Sequence, residues 1–233
     1  MNQTNQSVID EWSNFSQDDL LKFGDEGDEA RKLLLDPYIL KLAGDLNGRK
    51  VLDAGCGNGY LSRKLARLGA EMVGVEPSES LYQHCIDREK SEPYGIRYIQ
   101  QDLSTFNPTG TFDVVFLINV LMDIPDYESA LKNCINALNT KGTLILSILH
   151  PCFPGFESDW ENLGQVEIKE YFNSEPIKQK YGHLFNRPLQ DYLNLLIENG
   201  CMIERIVEPR IEDGDSRSAH VPQFLMIKAK KVK

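Results

Sequence analysis

Long hydrophobic runs are missing: no apolar stretch of the 233 residues approaches the roughly 20 needed to cross a bilayer. No membrane partner is therefore expected. The opening residues, MNQTNQSVIDEW, have neither the basic start nor the apolar core of a secretory leader. Cysteine is sparse: Cys56, Cys85, Cys134, Cys152 and Cys201 are odd in number and scattered, with no C-x-x-C. That usage suits reduced thiols, predicts a cytoplasmic location and argues against a zinc site, so no metal is expected. An excess of positive charge is lacking too. The net charge is −10, whereas nucleic-acid binders need a cationic footprint, so no nucleic-acid partner is expected. The basic tail KAKKVK reads as the solvated end of a strand. Internal repeats and low-complexity segments are absent. What remains, 41% hydrophobic and 26% charged, is the composition of one globular domain over residues 1–233.

The rest is organised around one stretch, residues 51–76, VLDAGCGNGYLSRKLARLGAEMVGVE. An apolar run enters an acidic residue, Asp53, followed by glycines at alternate positions, Gly55, Gly57 and Gly59. A helical pattern follows (Leu61, Leu65, Ala66, Leu68), then a second apolar strand ending on Glu76. This is strand, glycine loop, helix, strand, one βαβ unit. Glycine lets the backbone turn sharply and approach a ligand closely. A carboxylate at Glu76, the end of the second strand, can accept hydrogen bonds from a pair of ribose hydroxyls. The unit is suited to a nucleoside. Tyr60 occupies the third-glycine slot of G-x-G-x-x-G, which speaks against a pyrophosphate-bearing dinucleotide and so against a nicotinamide-dependent oxidoreductase.

Taken in order, residues 1–48 predict an N-terminal helical cap, with a glycine-rich acidic turn, GDEGDEARK, leading into a helix that bears Arg31. Arg31 is open to pairing with Asp28 or Asp36 on its own helix face. After Glu76, Pro77-Ser78 stops the strand and Ser78 caps a helix to about Lys90. Residues 96–100 form a short strand with Gln101-Asp102-Leu103 at its carboxyl end, where ligands sit in open α/β sheets; Asp102 can also cap the next turn. FDVVFLIN, 112–119, reads as a central strand buried on both faces, and Asn119-Val120 lie where it opens. Residues 126–139 predict an amphipathic helix, Lys141-Gly142 a turn, and 142–149 another buried strand that ends at His150. Residues 151–185 are irregular and hold seven of the 21 aromatics, including Trp160 and Tyr171. Such a segment reads as a substrate lid whose aromatics form the wall for a flat or apolar acceptor, or else as packing on the sheet. A helix over 186–199, capped by Gly200, precedes two last strands over 202–207 and 224–229.

VLDAGCGNG, the acid at Glu76, QDL at 101–103, FDVV at 112–115 and the Lys141-Gly142 turn together resemble the class I S-adenosylmethionine-dependent methyltransferases, in particular a bacterial small-molecule branch. The resemblance covers about residues 50–230. It implies an α/β, Rossmann-like, doubly wound seven-stranded sheet, mostly parallel, whose final strand is inserted antiparallel. It implies S-adenosyl-L-methionine as cofactor, held by Asp53, Ala54, Gly55, Gly57, Glu76, Pro77, Gln101, Asp102, Leu103, Asn119 and Val120. Asp102 would meet the adenine amino group, Asn119 would lie beside the sulfonium, and Arg31 would meet the carboxylate of the cofactor's methionine part. Asn186 stands just before Arg187-Pro188 where some relatives carry histidine, so no histidine role transfers there.

The activity so implied moves a methyl group to an O or N atom of a small aromatic or apolar metabolite, mainly by alignment in a dry site. A base is needed only when the nucleophile arrives protonated. His150, at the active-site edge of a central strand, is the candidate, and it equally suits an anchor for the lid. Trp160, Tyr171 and His183 are candidates for holding the acceptor. An RNA or protein methyltransferase is disfavoured by the acidity and by the lack of an added recognition domain. A non-catalytic nucleoside-binding module stays open. A monomer or homodimer is expected.

Overall fold

The computed structural model describes residues 3–22, 24, 26–153, 164, 166–168, 171–173, 175–212 and 217–232. It begins with α1 (Asn5–Trp12) and α2 (Gln17–Lys22). Thr4 caps α1 reciprocally: its side chain accepts from the Ser7 N–H, and the Ser7 hydroxyl accepts from the Thr4 N–H. A π-helical turn, Arg31–Leu35, leads into α3 (Asp36–Ala43). Pro37 has no N–H to continue the α-helical ladder, and the Asp36 N–H reaches back to the Arg31 carbonyl.

From here strands and helices alternate. β1 (Lys50–Ala54), α4 (Tyr60–Arg67) and β2 (Glu71–Val75) form the βαβ unit read from the glycine pattern. Then come α5 (Glu79–Ser91), β3 (Arg97–Ile99), β4 (Phe112–Ile118), α6 (Tyr127–Asn136) and β5 (Leu138–Leu149). A small hairpin of β6 (Ile177–Lys178) and β7 (His183–Leu184) sits inside the irregular segment. α7 (Leu189–Glu198), β8 (Cys201–Val207), the short α8 (Arg217–His220) and β9 (Phe224–Lys231) complete the chain.

The seven strands lie in the order β3-β2-β1-β4-β5-β9-β8. β9 runs antiparallel to both β5 and β8, and the other pairings are parallel. This is the Rossmann-like sheet expected from the resemblance, with its final strand inserted. Successive central-strand residues alternate between two cores, as period-two strands with both faces covered must. Leu52, Val115, Leu117 and Leu144 pack with α6 and α7; Val51, Val114, Phe116 and Ile145 pack with α3 and α4.

Two helix boundaries differ from expectation by three residues, and the helix expected over 186–199 starts only at Leu189, after Pro188. α6 ends at Asn136, not Asn139, because Leu138 is drawn into the sheet beside Phe112 and buried there. Lys141 and Gly142 are therefore not a turn between elements but a bulge within β5. Lys141 takes a left-handed conformation at φ 66°, and the register jumps from Phe112↔Leu138 to Val114↔Thr143. Gly142 is required there, since a Cβ would lie 2.8 Å from the Asn139 carbonyl oxygen.

Candidate active site

The carboxyl ends of β1, β2 and β4, and the turn after β3, open into one cleft. The glycine loop forms its floor. The Gly55 and Cys56 amides both donate to the Val75 carbonyl, at 2.8 and 3.0 Å, so the loop folds back over β2. Gly55 sits at φ 76°, and a Cβ on it would come within 2.6 Å of both Val120 methyl groups. Only glycine lets the strand ends of β1 and β4 close to this distance. Gly57, at φ 55°, differs: a Cβ there would meet nothing within 4 Å, because that side faces the open cleft.

Glu76 is 6% exposed and lines the cleft. One carboxylate oxygen accepts from the Gly57 N–H and the other from the Ser78 N–H, both at 2.9 Å. These bonds aim the carboxylate while leaving each oxygen a second lone pair for a ligand hydroxyl. Burial pushes its pKa up to about 7, against the lowering effect of the two amide bonds. Asp53 lies beneath the loop, accepting from the Ser62 hydroxyl at 2.6 Å, and burial raises it to about 6.

Asp102 lines the cleft and also caps the 3-10 turn that follows it. Its oxygens take the Ser104 amide at 2.9 Å and hydroxyl at 2.8 Å, and the Asn5 amide group of α1 at 3.0 Å. The capping reading is thus observed. Arg31 lines the cleft while its Nη1 donates to Asp28. Asp36, its other expected partner, is taken by Lys64 at 2.8 Å and by the Tyr60 hydroxyl at 3.2 Å. Pro77, Leu103, Asn119 and Val120 also line the cleft. Asn119 is held at φ 55° by Ser147, whose hydroxyl donates to its side-chain oxygen at 2.8 Å. Two expected residues stand apart: Ala54 is buried at the end of β1, and the Gln101 side chain donates to the Thr105 carbonyl at 3.1 Å.

The acceptor-side expectations land elsewhere. His150 is buried outside the cleft lining. Its Nδ1 accepts from the Cys152 N–H at 3.0 Å, which leaves Nε2–H to donate to Glu208 at 3.1 Å. Both nitrogens are engaged in holding the chain after β5, the geometry of an anchor rather than of a base. His183 ties β7 to α1, with Nδ1 at 2.8 Å from Glu11 and Nε2 at 3.3 Å from Gln3. The Tyr171 hydroxyl accepts from the Leu189 N–H at 2.9 Å and so serves the start of α7. Trp160 and Phe156 lie outside the described residues. Among the described aromatics of 151–185, Phe153 and Phe185 are buried, Tyr181 stacks on Phe15 at 3.9 Å, and Phe172 is 77% exposed. None of these lines the cleft.

The aromatics that do line it, Trp12, Phe15 and Tyr60, come from the cap and from α4. α1 crosses the cleft. Its Asn5 meets Asp102 and, at 2.9 Å, the Asp126 N–H, while at its far end the Trp12 carbonyl accepts from the Ser78 hydroxyl at 3.1 Å. A signal for this was present in the spacing Val8, Ile9, Trp12, an apolar stripe at helical period. Asp123, in the turn after β4, also lines the cleft and was not foreseen as a site residue. No group of three or more His, Cys, Asp or Glu among the described residues is arranged to hold a metal ion.

A mostly parallel sheet with a cleft at its strand ends, an acid on the second strand end and a glycine loop beside it is the arrangement of nucleotide- and nucleoside-binding α/β folds. Residues 52–146 match the family model described as a methyltransferase domain. Over those residues the chain is similar to this family, and its fold is that of the class I S-adenosylmethionine-dependent methyltransferases. A ubiquinone biosynthesis O-methyltransferase of Coxiella burnetii is 31% identical over 155 residues, covering 61% of this chain and 66% of that protein. Its counterpart from Xanthomonas campestris pv. campestris is 33% identical over 155 residues, covering 59% and 63%. The chain thus spans slightly under two thirds of these relatives' length. Among solved structures, an S-adenosylmethionine-dependent methyltransferase from Mesorhizobium loti superposes with a TM-score of 0.72 at 23% identity, covering 83% of this chain and 96% of that one. Magnesium protoporphyrin IX methyltransferase from Synechocystis, with bound S-adenosylmethionine, gives 0.65 at 20%, covering 99% and 98%. Both likenesses show the fold.

Proposed function

We propose that this chain binds S-adenosylmethionine in the cleft and directs its methyl group to an oxygen atom of a small, largely apolar molecule. The observation that carries this reading is the division of the cleft. One part presents Glu76, each oxygen with a lone pair left for a ligand, together with Asp102 under the roof of α1. The other brings Asn119, Arg31 and Asp123 together beside Ile118, Ile124 and Pro125.

The residues fit the cofactor. The position where a Cβ on Gly57 would stand is open space beside Glu76, so a ribose can approach the backbone there. Glu76 would hold the ribose hydroxyls, Asp102 and Leu103 the base, and Arg31 the carboxylate of the amino-acid part. The cofactor supplies an already activated methyl group. The protein's own work is then to orient the acceptor and exclude water, and alignment of this kind lowers barriers by about 7–11 kcal/mol. The curated relatives are named as O-methyltransferases, and the apolar residues around Asn119 favour an acceptor with little charge. From the later part of the irregular segment, His183 and Tyr181 brace α1 and Phe15, which roof the cleft.

Titration calorimetry tests the reading directly. S-adenosylmethionine and S-adenosylhomocysteine are expected to bind in the micromolar range, and NAD not detectably. Tighter binding of NAD would overturn it. Labelled cofactor incubated with a metabolite extract is expected to yield a labelled small molecule.

A further inference from the structure

Asp123 ends the single 3-10 turn Leu121–Asp123 just beyond β4, at the reacting part of the cleft. Among the described residues, no donor is hydrogen-bonded to its carboxyl group. That distinguishes it from the other acids of the cleft, since Asp53, Glu76 and Asp102 are each satisfied by protein donors. A carboxyl group turned into an apolar-sided cleft without a partner is costly unless a ligand completes it.

The turn that carries it is rigidly backed. Arg187, 9% exposed, donates to the carbonyls of Leu121 at 2.8 Å, Ile124 at 2.7 Å and Pro125 at 3.2 Å. Its guanidinium lies over the Tyr127 ring at 3.9 Å and the Phe185 ring at 5.3 Å. The Phe185 N–H also donates to the Met122 carbonyl at 2.7 Å. Three carbonyls and two rings therefore fix the backbone on both sides of Asp123, as placing a reacting group requires.

We infer that Asp123 is the group that meets the acceptor's reacting atom, and that this atom is a hydroxyl oxygen, phenolic in character, whose proton Asp123 takes. The inference rests on the methyltransferase reading above and deepens it. In the overall reaction a sulfonium and a hydroxyl become a thioether and a methyl ether, releasing one proton. The O–H bonding pair stays on the oxygen, and the proton goes to an Asp123 carboxylate oxygen. Charge selects a hydroxyl over an ammonium. The positive groups acting on Asp123 are Arg31 and Arg187, which would repel a cationic acceptor and favour an oxygen gaining negative charge. Other titratable groups on elements packed against the turn include Tyr127 on α6, Tyr192 on α7 and His183 on β7. Burial pushes the Asp123 pKa up to about 8, opposed by the two arginines, which brings it toward the range of a phenol.

The test uses the full chain saturated with S-adenosylhomocysteine and titrated with phenol, catechol and resorcinol, for wild type and for Asp123→Asn. The substitution is isosteric and removes no protein hydrogen bond among the described residues. At least one phenol is expected to bind wild type, with affinity lowered at least about tenfold in the variant. S-adenosylhomocysteine affinity should stay within about twofold, which also shows that the variant is folded. With labelled cofactor, the variant's kcat toward the best phenol should fall about 10²–10⁴-fold and lose the acidic limb of its pH profile. Equal phenol affinity and kcat in the two proteins would overturn the assignment, as would failure of all three phenols to bind. Failure of S-adenosylhomocysteine to bind wild type would instead overturn the methyltransferase reading, and this assignment with it.

Discussion

The two ends of the cleft are built in opposite ways. The nucleoside end is made from one contiguous stretch: Gly55, Gly57 and Glu76 lie within 51–76, and the bonds that set them, Gly57 to Glu76 and Gly55 to Val75, close inside that stretch. The reacting end is assembled from distant pieces. Arg187 fixes the turn at Leu121 from 66 residues away, and the Phe185 N–H, from the same distant stretch, holds the Met122 carbonyl. A local unit carries its own geometry in a short motif, whereas a composite one exists only after folding. The first should therefore respond to substitution sharply and locally, and the second through the elements that brace it.

The largest effect expected is at the floor of the nucleoside end. Gly55→Ala combines a left-handed backbone with contact against Val120, so it should cost about 2–5 kcal/mol of stability and abolish cofactor binding. Gly57→Ala shares the strained backbone but meets no atom, so its stability loss should be only about 1–2 kcal/mol. Its methyl group would nonetheless stand in the cleft and weaken the cofactor. Denaturant unfolding with calorimetry on both variants separates the two; equal stability losses would refute the close approach at Gly55.

A middle-sized effect belongs to Glu76. Between its ordinary value near 4.5 and its folded value near 7, the folded protein keeps a proton that the unfolded chain has released. Stability of the cofactor-free protein therefore falls as pH rises through that window, by about 3 kcal/mol from this group. Asp53, raised from 3.8 to about 6, acts in the same direction. Unfolding midpoints should be higher at mildly acidic than at mildly alkaline pH, and Glu76→Gln should flatten the slope. The same variant should weaken cofactor binding by about 1–3 kcal/mol. A slope unchanged in Glu76→Gln would assign the pH dependence elsewhere.

The smallest effect tests the reacting end from the side. His150→Ala removes the bonds to Cys152 and Glu208, which should cost about 0.5–1.5 kcal/mol of stability while leaving the pH–rate profile and the cofactor affinity as they were. Loss of the acidic limb in this variant would return His150 to the role of base.

Legibility in the sequence follows the same division. The glycine spacing, Glu76 and the apolar runs of β1, β4 and β5 announce the sheet and the nucleoside end, because each signal lies within one or two neighbouring elements. The bulge at Lys141 is invisible locally: the pull of Leu138 into the sheet comes from its partner Phe112. His150 lies correctly at the strand end yet faces Glu208, a direction only the later loop decides. The aromatics of 151–185 count toward an acceptor wall by number alone, but none of the described ones lines the cleft. Trp12 and Phe15 reach the cleft because α1 folds across it, and no pattern within α1 states what it will cover.

The inserted final strand has a consequence for synthesis. While residues up to about 223 emerge from the ribosome, β5, at the middle of the sheet, has a partner on only one side. Its other edge offers unpaired backbone groups along 143–149 until β9 arrives to cover them, and β8 has no place in the sheet before then. The sheet is therefore incomplete until β9 is in place, and a chain that lacks it carries an open, strongly apolar strand edge, the state in which this protein is most prone to pair with a copy of itself.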